Sequence, residues 1–135
     1  MSIVSIRAAI ETALNAITPA ISTAWENSSF EPTAGTAYQR VFYRSQPSNP
    51  TAGATVRQEA GFVQVSLFYP LQTGTGAAAA RAELIRTTFK RGNSFTSGGI
   101  TVKISQTPEV HQGKIDGDRW MLPVSIYFIS DFLGA

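Results

Sequence analysis

Ile3, Ile6, Ile10, Ala13 or Leu14, Ile17 and Ile21 recur at steps of three and four along the start of the chain. That spacing lines one face of a helix and predicts an amphipathic helix over residues 2–18. Arg7, Glu11 and Asn15 fall on the opposite side, where Arg7 and Glu11 can pair at i, i+4. Pro19 should end the helix near Thr18, because its ring clashes with the preceding turn. Residues 20–25 then read as a short turn that drops Ile21 and Trp25 into the core. Residues 26–37 (ENSSFEPTAGTA) read as loop with Phe30 as its buried anchor.

Beyond this point the period changes from helical to two. YQRVFYR, residues 38–44, is β-branched and aromatic and predicts a first strand. Residues 45–60 (SQPSNPTAGATVRQEA) carry prolines, a glycine and no apolar period, and predict a long mobile loop. GFVQVSLFYP follows, with Val63, Val65 and Leu67 alternating against Gln64, Ser66 and Phe68, and reads as a second strand. LQTGTG breaks the pattern ahead of AAAARAELIRTTFKR, a helix closed by Gly92. Ala78, Ala82, Ile85 and Phe89 form its stripe, small at the start and bulky at the end, so the helix can approach a sheet closely at its N-terminal half. Arg81, Arg86 and Lys90 lie off that stripe.

Residues 93–99 read as a Gly/Ser turn. In ITVKISQ, residues 100–106, Ile100, Val102 and Ile104 point inward and Thr101, Lys103 and Ser105 outward; Pro108 and Gly113 bound an extension that contains His111. Asp116-Gly117 is a hairpin turn signal. WMLPVSIYFI, residues 120–129, is the last strand, and Pro123 marks a bulge or a locally edge-like position within it. The expected fold is α+β: a mixed, mainly antiparallel sheet of about four strands with two helices packed on one face, in the order α-β-β-α-β-β. At 135 residues the chain is expected to be one domain over 1–135.

The sheet's second face is unusually apolar. Phe42, Phe62, Phe68, Met121, Tyr127 and Ile129 would point away from the helices; either the sheet curls on itself or, the favoured reading, this face meets another subunit.

Composition narrows the options. Charged residues make up 15% of the chain, against about a quarter in a typical soluble domain, which suits a surface covered by partners and equally an ordinary soluble protein. The net charge is only +2 and the 11 basic residues are scattered, unlike the basic stripe of a nucleic-acid binder. There is no cysteine, so disulfides and thiolate metal sites are excluded. No long apolar run predicts a membrane span, and the interrupted N-terminus does not read as a signal peptide. The expectation is a protein made and used in a cytoplasm.

Searches for chemistry fail in turn. His111 is the only histidine and has no partners at metal-ligand spacing. Asp116 and Asp118 bracket Gly117 as turn residues rather than as a calcium loop. Thr73-Gly74-Thr75-Gly76 precedes a helix but lacks the Gly-Lys-Ser/Thr of a phosphate loop, and Ala79 stands where a dinucleotide fingerprint needs its third glycine. No carboxylate pair stands out for acid–base work. No catalytic residue, metal site or cofactor is expected. Tyr38 and Tyr43 interleave with Arg40 and Arg44, which offers a second reading of the chain: a nucleic-acid-binding module using residues 38–44 as a stacking platform.

Several phrases in order resemble the tail-terminator and tail-completion proteins of long-tailed bacteriophages. They are WENSSFEP, YQRVFYR, GFVQVSLFYP, the TGTG turn before an alanine-rich helix, GGITVKI and GDRWMLPVSIYF, spanning roughly residues 25–132. The resemblance implies a non-enzymatic protein, found in the virion tail and in the host cytoplasm during assembly. It implies a self-associating ring, often six-fold, at the head-proximal end of the tail tube, which stops tube polymerisation. Its implied partners are the tail-tube protein and head-completion or connector proteins, with DNA passing through the ring unread. It further implies that the loop at residues 45–60 reaches the tube. With the apolar second face, the expected contact residues are Arg40, Phe42, Arg44, Gln46, Arg57, Glu59, Phe62, Phe68 and Tyr127.

Overall fold

The computed structural model describes residues 2–18, 21–26, 30–31, 35–45, 49–50, 56–71 and 74–133. Among these described residues two helices, α1 (Ser2–Asn15) and α2 (Gly76–Thr88), accompany eight strands: β1 (Ser22–Ala24), β2 (Tyr38–Ser45), β3 (Asn49–Pro50), β4 (Val56–Pro70), β5 (Ser94–Ser97), β6 (Ile100–Val110), β7 (Lys114–Asp116) and β8 (Arg119–Leu133). The strands form one sheet in the order β1-β2-β4-β8-β6-β5, with β3 on β4 and β7 on β8. Among the described strands only β1 against β2 is parallel; the other pairs are antiparallel.

The α+β class holds, but a sheet of about four strands does not. The four expected strands are β2, β4, β6 and β8, and four short strands of two to four residues join them. So few residues cannot display a period of two. β1 lies where a turn was expected after Pro19, and β5 lies in the Ser/Gly segment before Gly98. The expected loop at 45–60 also loses its second part. β4 starts at Val56, and Asn49 and Pro50 pair with Gln58 and Arg57; residues 46–48 and 51–55 lie outside the described residues.

β4 and β8 are the spine. They pair residue by residue over fifteen positions, from Val56↔Leu133 to Pro70↔Arg119, a ribbon of about 50 Å at the usual strand rise. Pro123 sits in this central strand without breaking it. Its carbonyl accepts from the His111 N–H at 2.9 Å, so its nitrogen also faces the β6 side. There the β6 ladder has just ended at Val110↔Val124, and β7 begins only at Met121. The missing donor therefore costs no bond to β4.

Both helices pack on one face of the sheet. Ile6, Ile10 and Leu14 of α1, Ala82 and Ile85 of α2 and Phe89 at the α2 C-cap share a core with Val41, Val63, Val65, Leu67, Val102, Ile104, Val124 and Ile126. The small-to-large stripe of α2 is buried throughout: Ala78, Ala82, Ile85 and Phe89 are each 2% exposed or less. α1 stops at Asn15, and Ile17 closes the end through its N–H to the Leu14 carbonyl. Ile21 and Trp25 pack half-buried against the same core.

Arg7 does not pair with Glu11. Its guanidinium reaches Glu26 at 3.3 Å and lies 4.3 Å from the centre of the Tyr43 ring. Glu11 instead receives the Tyr43 hydroxyl, because β2 brings a better-placed donor to this side of α1.

Candidate interaction surface

The outer face of the sheet is built by register. Alternate residues of a strand share a face, and three strands carry rows across it: Arg44↔Phe62↔Tyr127, Phe42↔Gln64↔Ser125, Arg40↔Ser66↔Pro123 and Tyr38↔Phe68↔Met121. Six expected contact residues, Arg40, Phe42, Arg44, Phe62, Phe68 and Tyr127, thus come together on one surface. Arg57 and Glu59 fall on the far half of β4, opposite Phe132 and Ser130. Gln46 lies outside the described residues.

The surface has two halves. In one, Phe62 and Tyr127 meet with centroids 5.8 Å apart and planes tilted by 45°. Phe42, Phe62, Met121, Tyr127 and Ile129 are all half-buried, while Arg40, Arg44 and Lys103 are exposed around them. The apolar groups shade one another, so this patch is less open than the alternating pattern suggests. In the other half the chain covers itself. Phe68 is buried, stacked on Tyr38 at 4.7 Å and 8°, and Phe30 packs on Tyr38 at 5.1 Å. The guanidinium of Arg119 lies 4.9 Å from the Tyr38 ring centre and donates to the Thr36 carbonyl. Phe30 was legible as an anchor, though it is half-buried rather than buried; the buried Arg119 that holds Thr36 was not, because an arginine after an Asp-Gly turn reads as surface.

This arrangement removes the stacking platform expected for nucleic acid. Tyr38 and Tyr43 lie on opposite faces of β2. Tyr38 is enclosed by Phe30, Phe68 and Arg119, and Tyr43 is held against α1. Neither ring is open to stack on a base.

His111 stands at the edge of the face. Its Nε2 lies 2.8 Å from the Ser125 Oγ and 3.8 Å from a Glu109 carboxylate oxygen. A serine nucleophile needs the acid on the other ring nitrogen, and Ser125 is only 3% exposed. The trio therefore lacks the geometry of a hydrolase triad. Glu109 also accepts the Tyr127 hydroxyl at 3.0 Å, and this bond, ahead of burial, raises the tyrosine pKa above its ordinary value. Among the described residues no group of three His, Cys, Asp or Glu could hold a metal, and no helix is long and apolar enough to cross a membrane.

Sequence reasoning missed a groove of about 470 Å³ between α2 and the ends of β6 and β8, lined by Ala79, Ala82, Pro108, Val110, Trp120 and Leu122. The signal was present in the alanines of α2, too small to cover the inward-facing Trp120 and Leu122. Arg81, expected off the buried stripe, is 4% exposed beside Tyr69; burial lowers its pKa and raises that of Tyr69.

A search of curated proteins found no significant match. A solved structure known only by a sequence identifier is 28% identical, with a TM-score of 0.78 and 96% of each chain covered. The model of the family described as "Phage tail terminator protein" matches residues 5–128. The chain therefore belongs to the phage tail terminator family, structural tail proteins that act alongside other tail components.

Proposed function

We propose that the chain assembles into a ring at the head-proximal end of the tail tube, stops tube polymerisation there and offers a joining surface to head-completion proteins. The match to the terminator family over residues 5–128 carries this reading, and the half-buried apolar patch ringed by arginines supplies a surface suited to it. Phe62 and Tyr127 provide a rigid aromatic centre, and Arg40 and Arg44 a charged rim, the usual anatomy of a contact patch. The long β4–β8 ribbon provides reach toward a partner. DNA passes through the ring without base contacts, and the protein works in the assembled tail and, before that, in the host cytoplasm.

Mixing the purified chain with polymerising tail-tube subunits tests the reading. The expected result is shorter tubes, each capped at one end by a ring seen by electron microscopy. Unchanged tube lengths and ends, with no ring at high protein concentration, would overturn it.

A further inference from the structure

The sheet has unequally protected edges. Among the described strands, β1, β3, β5 and β7 each pair on one side only. β3 carries Pro50, and β7 carries Lys114 and Asp116. Proline and charge are the usual guards of an open edge, because they prevent another strand from adding to it. β1 (Ser-Thr-Ala) and β5 (Ser-Phe-Thr-Ser) carry neither. They are also the two ends of the sheet order.

β5 offers more than a bare edge. A two-residue turn, Gly98 at φ 58° and Gly99 at φ 80°, joins it to β6, so the closing pair Ser97↔Ile100 is hydrogen-bonded and the pairs alternate from there. Phe95 and Ser97 thus spend their backbone groups on β6, while Ser94 and Thr96 turn theirs to the open side. Beside that edge runs a slot of about 680 Å³, walled on its far side by Ala9 and Ala13 of α1 and by Ala16 just past its end. None of its described lining residues is charged. An open strand edge facing a small-residue helix is the geometry in which an extended segment docks by strand addition.

We propose that the occupant is β1 of a second copy of this chain, added to β5 so that the sheet runs on from one subunit to the next. β1 is uncharged, as the slot requires, is matched to β5 in length at three residues against four, and lies at the opposite end of the sheet. A contact between two different surfaces at opposite ends repeats in one sense and closes into a ring when the rotation allows. The inference rests on the ring reading and names the interface that would build the ring.

The cysteine-free chain makes the test clean. Ser22 and Thr96 are both exposed, and four strands separate β1 from β5. Five inter-strand steps therefore lie between them, roughly 24 Å along the sheet at the usual strand spacing, too far for a bond within one chain. The double variant S22C/T96C is oxidised alone at high concentration and again with tail-tube subunits. The expected result is a ladder of covalent multimers ending at the ring's subunit number, with at most dimers from either single variant. In parallel, T96P removes an edge donor not used by β6, and T96K places a charge on the edge; each should leave the circular dichroism spectrum unchanged and weaken association roughly tenfold. Rings that form without cross-links, and with undiminished association in folded T96P or T96K, would overturn this interface and leave the ring reading standing. No larger species in either setting would overturn the ring reading and this interface with it.

Discussion

Phe62 and Tyr127 face each other across the two central strands, their ring centroids 5.8 Å apart. They are neighbours because β4 and β8 hold register over their whole length, and the pair forms the centre of the outer patch. An aromatic pair adds about 0.5–1.5 kcal/mol beyond area burial. Phe62→Ala is expected to lower stability by about 1–2 kcal/mol in urea unfolding, leave the fold intact, and reduce binding to tail-tube subunits measured by co-sedimentation.

Tyr43 ties β2 to α1. Its single hydroxyl hydrogen can serve either the Arg7 carbonyl or the Glu11 carboxylate, both at 3.3 Å. Tyr43→Phe should cost about 1 kcal/mol. Burial first, and then the Glu11 charge, raise the phenol's pKa above its ordinary value of 10.0. The folded state therefore holds this proton more tightly than the unfolded state. The resulting stability is fully present below about pH 10 and is lost as pH rises beyond it. A pH series of unfolding midpoints above pH 10 should fall more steeply for the wild type than for Tyr43→Phe.

α2 lies close on the sheet because Ala78 is small and buried. Ala78→Leu should destabilise by about 1–3 kcal/mol through overpacking. Phe89, 0% exposed and 5.2 Å from the Phe95 ring centre, fills the bulky end. Phe89→Ala should cost about 3–5 kcal/mol through the cavity left behind. Chemical denaturation of the two variants checks both signs of the same packing argument.

The long periodic segments were legible. The α1 stripe, the α2 stripe and the cores of β2, β4, β6 and β8 each offered enough positions to show a period, and their buried residues follow it. β1, β3, β5 and β7 did not, because two to four residues carry no period and their pairing is set by what lies beside them in space. The same holds for the outer face. Alternation placed Phe62, Phe68 and Tyr127 on it correctly, but only the fold shows that Phe68 is already stacked on Tyr38, which Phe30 and Arg119 enclose in turn. Arg7 illustrates the limit for pairs: helical spacing offered Glu11, while the tertiary structure supplied Glu26.

Arg40 and Arg44 are exposed on the rim of the patch, and reversing their charge should leave the fold and its unfolding midpoint essentially unchanged. In R40E/R44E the effect is expected in assembly alone, as weaker binding to tail-tube subunits in co-sedimentation at low salt.

The length distribution of tail tubes polymerised with and without the purified chain, read by electron microscopy, tests the central claim most directly. Capping predicts tubes that shorten as the chain is added, each bearing a ring at one end, with R40E/R44E less effective at equal concentration. Tubes of unchanged length with bare ends at every concentration of the wild-type chain would contradict it.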